Sequence, residues 1–181
     1  LTIDSAGGTT TIDDALAVSG ATTITGSTTL NGGLTLNSST ISLGSSSTAS
    51  GGFATALGYN AVASGDNSIA IGASTANNSG SIAIGNSASS TGGDSVSLGG
   101  QASASGTDSV ALGGNASATA QNSYAIGKSA SAGHSDSIAI GSSAETTGAN
   151  QIVLGTSSET TIIKGDLTTN GTSTLSTVDI N

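Results

Sequence analysis

The stretch Gly58-Tyr-Asn-Ala-Val-Ala-Ser-Gly-Asp-Asn-Ser-Ile-Ala-Ile-Gly72 decides how the chain is read. It holds two strand-sized pieces, Ala-x-Ala and Ser-Ile-Ala-Ile, each followed by a turn. The second piece with its closing glycine recurs as Ile41-Ser-Leu-Gly44, Thr55-Ala-Leu-Gly58, Ile69-Ala-Ile-Gly72, Ile82-Ala-Ile-Gly85, Val96-Ser-Leu-Gly99, Val110-Ala-Leu-Gly113, Tyr124-Ala-Ile-Gly127, Ile138-Ala-Ile-Gly141 and Ile152-Val-Leu-Gly155. The closing glycines advance by 14, 14, 13, 14, 14, 14, 14 and 14 residues. A fixed step of this size marks a solenoid, in which each repeat is one coil stacked on the last. The fold expected is all-β: a parallel β-roll, or β-solenoid, of 14-residue coils, each made of strand, corner, strand, corner.

Working outward from one coil, the corners come next. The closing glycines Gly58, Gly72, Gly85, Gly99, Gly113, Gly127, Gly141 and Gly155 are expected to form one of them, since glycine adopts positive φ without steric cost. Asn67, Asp94, Asp108, Asn122 and Asp136 precede the serine of the phrase in their copies, Asn150 stands at the same place before Gln151, and all six are expected to set the other by bonding their own backbone. The coil from Gly72 to Gly85 is one residue short, and the loss is expected in the turn Asn77-Asn78-Ser79-Gly80.

Side chains alternate across a strand. In Ser68-Ile69-Ala70-Ile71 the two isoleucines therefore share one face and Ala70 takes the other. Either face could be turned inward. The favoured packing fills the roll with alanines and leaves a stripe of large apolar residues outside: Ile69, Ile71, Ile82, Ile84, Val96, Leu98, Val110, Leu112, Tyr124, Ile126, Ile138 and Ile140. A stripe of that length calls for a partner surface. These residues are the candidates for an interface between copies of the chain.

The flanks keep a shorter beat. Val18, Ile24, Leu30 and Leu36 step by six, as do Ile163, Thr169 and Leu175. Residues 1–40 and 156–181 are thus expected to be short-period β segments on either side of the roll at 41–155. No segment shows helical periodicity. The chain has no starting Met and no signal peptide and is read as a piece of a longer or processed chain.

Composition excludes several functions. Net charge is −9, and Lys128 and Lys164 are the only basic residues besides one histidine, which argues against nucleic acid. No apolar run reaches the length of a membrane span, so no direct membrane insertion is expected. There is no cysteine, hence no disulfide and no thiolate metal site. His134-Ser135-Asp136 names the residues of a hydrolase triad, but sequence neighbours cannot reach that geometry, and His134 is read as an exposed turn residue. Asp94 and Asp108 stack in successive coils and could face a cation; the plainer reading is a pair of corner residues. No cofactor and no enzymatic activity are expected. Of the aromatics, Tyr124 is assigned to the stripe. Phe53, at a corner, is the better contact candidate, although core or end packing is preferred for it.

The phrase Asp-Asn-Ser-Ile-Ala-Ile-Gly, followed by Ala-x-Ala-x-Gly, resembles the head repeat of the trimeric autotransporter adhesins, the YadA-like heads. That resemblance covers about Ile41 to Gly155. It implies a left-handed parallel β-roll, a homotrimeric fibre and a role in surface attachment, with a host-surface or matrix protein or a glycan as ligand. The flanks, Gly20-Ala-Thr-Thr-Ile-Thr-Gly26 among them, resemble threefold β shafts of phage tail fibres. The location implied is extracellular, on a bacterial surface or a virion. A purely structural spacer, with the binding tip elsewhere, is the second reading. An ice-binding solenoid is the third; the mixed Ser, Ala, Thr and Asn outside argues against it.

Overall fold

In the computed structural model the described residues are 39–166 and 168–171, all within the compact unit Asn37–Asn181. The period-six reading of residues 1–40 falls almost wholly outside them.

Among the described residues there is no helix, and two parallel sheets face each other. The first wall has nine strands: Ile41–Leu43, Thr55–Leu57, Ile69–Ile71, Ile82–Ile84, Val96–Leu98, Val110–Leu112, Tyr124–Ile126, Ile138–Ile140 and Ile152–Leu154. The second has seven: Thr48–Ala49, Val62–Ala63, Thr75–Ala76, Ser89–Ser90, Ser103–Ala104, Ser117–Ala118 and Ser131–Ala132. The chain alternates between walls, so each strand pairs in register with its equivalent one coil away. Val110 lies beside Val96 and Tyr124, and Leu112 beside Leu98 and Ile126. The same ladder runs through the second wall, where the Ser103 amide donates to Ala116 at 2.8 Å. Each layer adds about 4.8 Å.

The expected packing is found. The core is 18 alanines, all at most 1% exposed, joined by buried serines. Thr146 is the largest fully buried side chain. Two walls separated only by methyl and hydroxymethyl groups leave no room for Ile or Leu, so the larger side chains of the first wall lie outside.

The glycine corner is as expected: the eight closing glycines have φ between 74° and 135°. At Gly113 a second constraint operates. A Cβ there would lie 2.5 Å from the carbonyl oxygen of Gly127 in the next coil, so close stacking as well as positive φ demands glycine.

The other corner departs from expectation. Asn67, Asp94, Asp108, Asn122, Asp136 and Asn150 hold φ between 51° and 59°. Their part is to occupy the left-handed conformation that Asn and Asp tolerate best among residues with a side chain. The expected side-chain bonds to their own turn backbone are not what sets the corner. The serine that follows does more: the Ser95 hydroxyl donates to the Gly92 carbonyl at 2.7 Å, and Ser109 and Ser123 repeat this with Gly106 and Ala120 at 2.6 Å. A buried hydroxyl is thereby satisfied and the turn is closed from inside.

The short coil is a second correction. Val62 pairs with Thr75, already 13 residues on, whereas Leu57 pairs with Ile71 at the full 14. The deletion therefore falls at Gly72-Ala73-Ser74, not at Asn77–Gly80, which keeps its four residues with Gly80 in the left-handed place (φ 68°). Other closing-glycine corners carry a further left-handed residue two positions on, such as Asn60, Ser87 and Asn115. The short corner lacks it. Instead the Ser74 amide donates to Gly72 at 2.9 Å, and its hydroxyl lies within bonding distance of the Ile71 and Ala83 carbonyls.

The last coil is built differently. Gln151 stands where six earlier coils have serine and one has Ala54, and its Oε1 accepts from the Thr147 and Gly148 amides at 2.8 and 3.0 Å. Val153 replaces the inner alanine, and Thr146 takes an inner position of the second wall. These larger groups close the end of the stack, as capping repeats do in solenoids. The described residues beyond Leu154 form no strand, and Ile162 and Ile163 are exposed.

Candidate interaction surface

Along the first wall two outward columns run the full length of the ladder. One reads Ile41, Thr55, Ile69, Ile82, Val96, Val110, Tyr124, Ile138 and Ile152; the other Leu43, Leu57, Ile71, Ile84, Leu98, Leu112, Ile126, Ile140 and Leu154. The structure thus brings all twelve predicted stripe residues onto one face. It also adds Ile41, Leu43, Leu57, Ile152 and Leu154, whose place was legible in the same repeat. Leu57, Leu98 and Leu112 are 40–43% exposed, while Ala56, Ser97 and Ala111 beside them in the strands are fully buried. Between them, Ile69, Ile82, Val96 and Val110 are partly buried by their neighbours in the ladder.

The aromatics divide. Tyr124 is half-buried in the stripe. Tyr59 is 65% exposed. Phe53 is 72% exposed and has φ of 60°, so it packs neither in the core nor at an end as preferred from sequence. It occupies the left-handed corner that Asn or Asp fills in most other coils. That conformation is costly for a bulky residue.

The chemical candidates do not converge. His134 and Asp136 are exposed; the His134 ring lies 3.4 Å from the Thr146 hydroxyl, and its carbonyl accepts from Ser137. Asp136 instead accepts from the Asn122 amide at 2.9 Å. Asp94 and Asp108 hold equivalent corners of successive coils, and no cluster of three metal-ligating side chains occurs among the described residues. An open cleft of about 420 Å³ lies at the last coil, lined by Ser143, Glu145, Thr147, Val153 and Gly155–Ser157. Glu145 is the one ionisable group in that lining. Nearby, the Thr156 hydroxyl and amide donate to the exposed Glu159 carboxylate and hold its pKa below the ordinary value. No helix among the described residues is long and apolar enough to cross a membrane.

An alanine-filled parallel roll with an apolar outer stripe defines a class of repeat protein, the β-solenoid. The chain belongs to the YadA head family: the YadA head domain repeat matches residues 38–61, 49–75, 90–116, 118–144 and 135–158, more than half of the chain. Among solved structures it is similar to the collagen-binding domain of the Yersinia adhesin YadA, with 28% identity and a TM-score of 0.54 over 81% of this chain and 94% of that one. A search of the curated proteins finds no match.

Proposed function

We propose that the chain is an extracellular attachment module that works as a homotrimer, with the first-wall stripe turned toward a threefold axis. One observation carries this reading. The roll has filled its own interior with alanine and still presents large aliphatics in every coil of its first wall. A stripe that its own protomer does not cover is stable in water when neighbouring copies cover it. Three rods side by side multiply weak contacts along their length into avidity.

The ligand proposed is a host-surface or matrix protein, or a glycan. The relative of known structure is a collagen-binding domain, which supports the matrix-protein choice. The role is binding rather than catalysis, on a bacterial surface or as part of a virion fibre, with residues 1–40 and 156–181 as its shaft segments. Light scattering tests the assembly: three times the 16.8 kDa chain mass is expected. Binding to immobilised collagen, saturable and lost on dissociation into monomers, tests the ligand. A folded monomer in solution contradicts the proposal.

A second reading, the rigid spacer, draws on the second wall, whose outward residues are mostly Ser and Thr. Deleting two whole coils separates the two. A spacer loses only reach, and a binding head loses affinity.

A further inference from the structure

A ladder this regular creates a difficulty for assembly. Coils repeat every layer, so a neighbouring copy displaced by one layer would meet almost the same aliphatic surface and lose contact only at the ends. Stable interfaces bury about 800 Å² per partner; the stripe offers 18 outward positions on nine strands, and nearly all of them are interchangeable. Two are not. In the two columns Thr55 and Tyr124 are the positions without an aliphatic side chain, and they stand five coils apart.

Resting on the trimer reading, we infer that Tyr124 and Thr55 are register pins, which make the aligned arrangement of a second and third copy of this chain the favoured one. Tyr124 is held outward and half-buried between Val110 and Ile138. With copies aligned, the three Tyr124 rings fall in one layer, where aromatic groups pack on one another and their hydroxyls find polar partners. Displaced by one layer, each ring meets Val110 or Ile138 of its neighbour and its hydroxyl faces an apolar column. Thr55 adds the same penalty at the other end of the roll. Isolated polar groups in otherwise uniform coiled-coil seams fix register on this principle.

The absence of native cysteine makes the test direct. Leu112→Cys and Ile126→Cys chains, equivalent positions one coil apart, are co-assembled, oxidised and mapped by mass spectrometry of disulfide-linked peptides. With Thr55 and Tyr124 in place, the mixed 112–126 disulfide is expected only at background. In T55I/Y124I, which makes the stripe uniform, it should rise roughly tenfold while the assembly remains trimeric. Moving the ring one coil, in T55I/V110Y/Y124V, should return it to background. A trimeric T55I/Y124I assembly without the mixed product overturns the pin and leaves the trimer standing. A monomeric parent chain overturns both.

Discussion

Ala111 and Leu112 are adjacent in one strand and belong to different worlds. Ala111 is fully buried between the two walls; Leu112 is 40% exposed on the outer face. In an ordinary globular domain the larger residue would be the core and the smaller one incidental. Here the distance between the walls reverses the assignment. The core is defined by what is small enough to enter it, and the large residues are left to contacts with something else.

The most severe way to break this contrast is to put a large group inside. Ala111→Leu should destabilise the roll by on the order of 3 kcal/mol through overpacking, read as a fall in denaturation midpoint. One residue on, Leu112→Asp should leave the circular dichroism of the roll intact. Its effect should appear in assembly, weakened about 100-fold by a carboxylate in the stripe and measured as mass against concentration.

A milder comparison sets alanine-lined coils against serine-lined ones. The buried alanines fall into two clusters, one ending at Ala88 and the other beginning at Ala102. Between them Ser90 and Ser95 bond to each other at 2.7 Å, and Ser97 is buried with no partner for its hydroxyl. Ser97→Ala should therefore stabilise the roll by about 1 kcal/mol, raising its melting temperature. Phe53→Asn should add somewhat less, under about 1 kcal/mol, by relieving a left-handed phenylalanine; if Phe53 touches the ligand, the same variant binds more weakly. The smallest effect concerns pH. The lowered pKa of Glu159 means that its bonds to Thr156 stabilise the turn at neutral pH and are lost as pH falls through that lowered value. Faster amide exchange at Thr156 in acid, with the coils upstream unchanged, would register it.

Much of this was legible from residue order. The repeat fixed the coils, strand alternation separated Ala70 from Ile69 and Ile71, and the closing glycines marked one corner. What escaped was conformational. Gly-x-Asn-Ala and Gly-x-Ser-Ala, as at Gly58 to Ala61 and Gly85 to Ala88, announce a second left-handed residue after each glycine. The missing member at Gly72-Ala73-Ser74 then locates the deletion. The turn at Asn77 and Asn78 keeps its full length. Phe53 was harder, because its exposure depends on where its corner points, and a lone aromatic carries no period. The buried unpartnered Ser97 hydroxyl was invisible for a similar reason: the phrase accepts Ser or Ala at that place, and only packing tells whether a hydroxyl has company.

The cap at Gln151 and Val153 has a consequence for how such a molecule could vary through descent. Duplicating one full coil upstream of it would extend the rod by a single layer, preserve the terminal seal and present another pair of aliphatics to the neighbours. Reach could thus be tuned by copying a short segment of gene, with no new fold to be found.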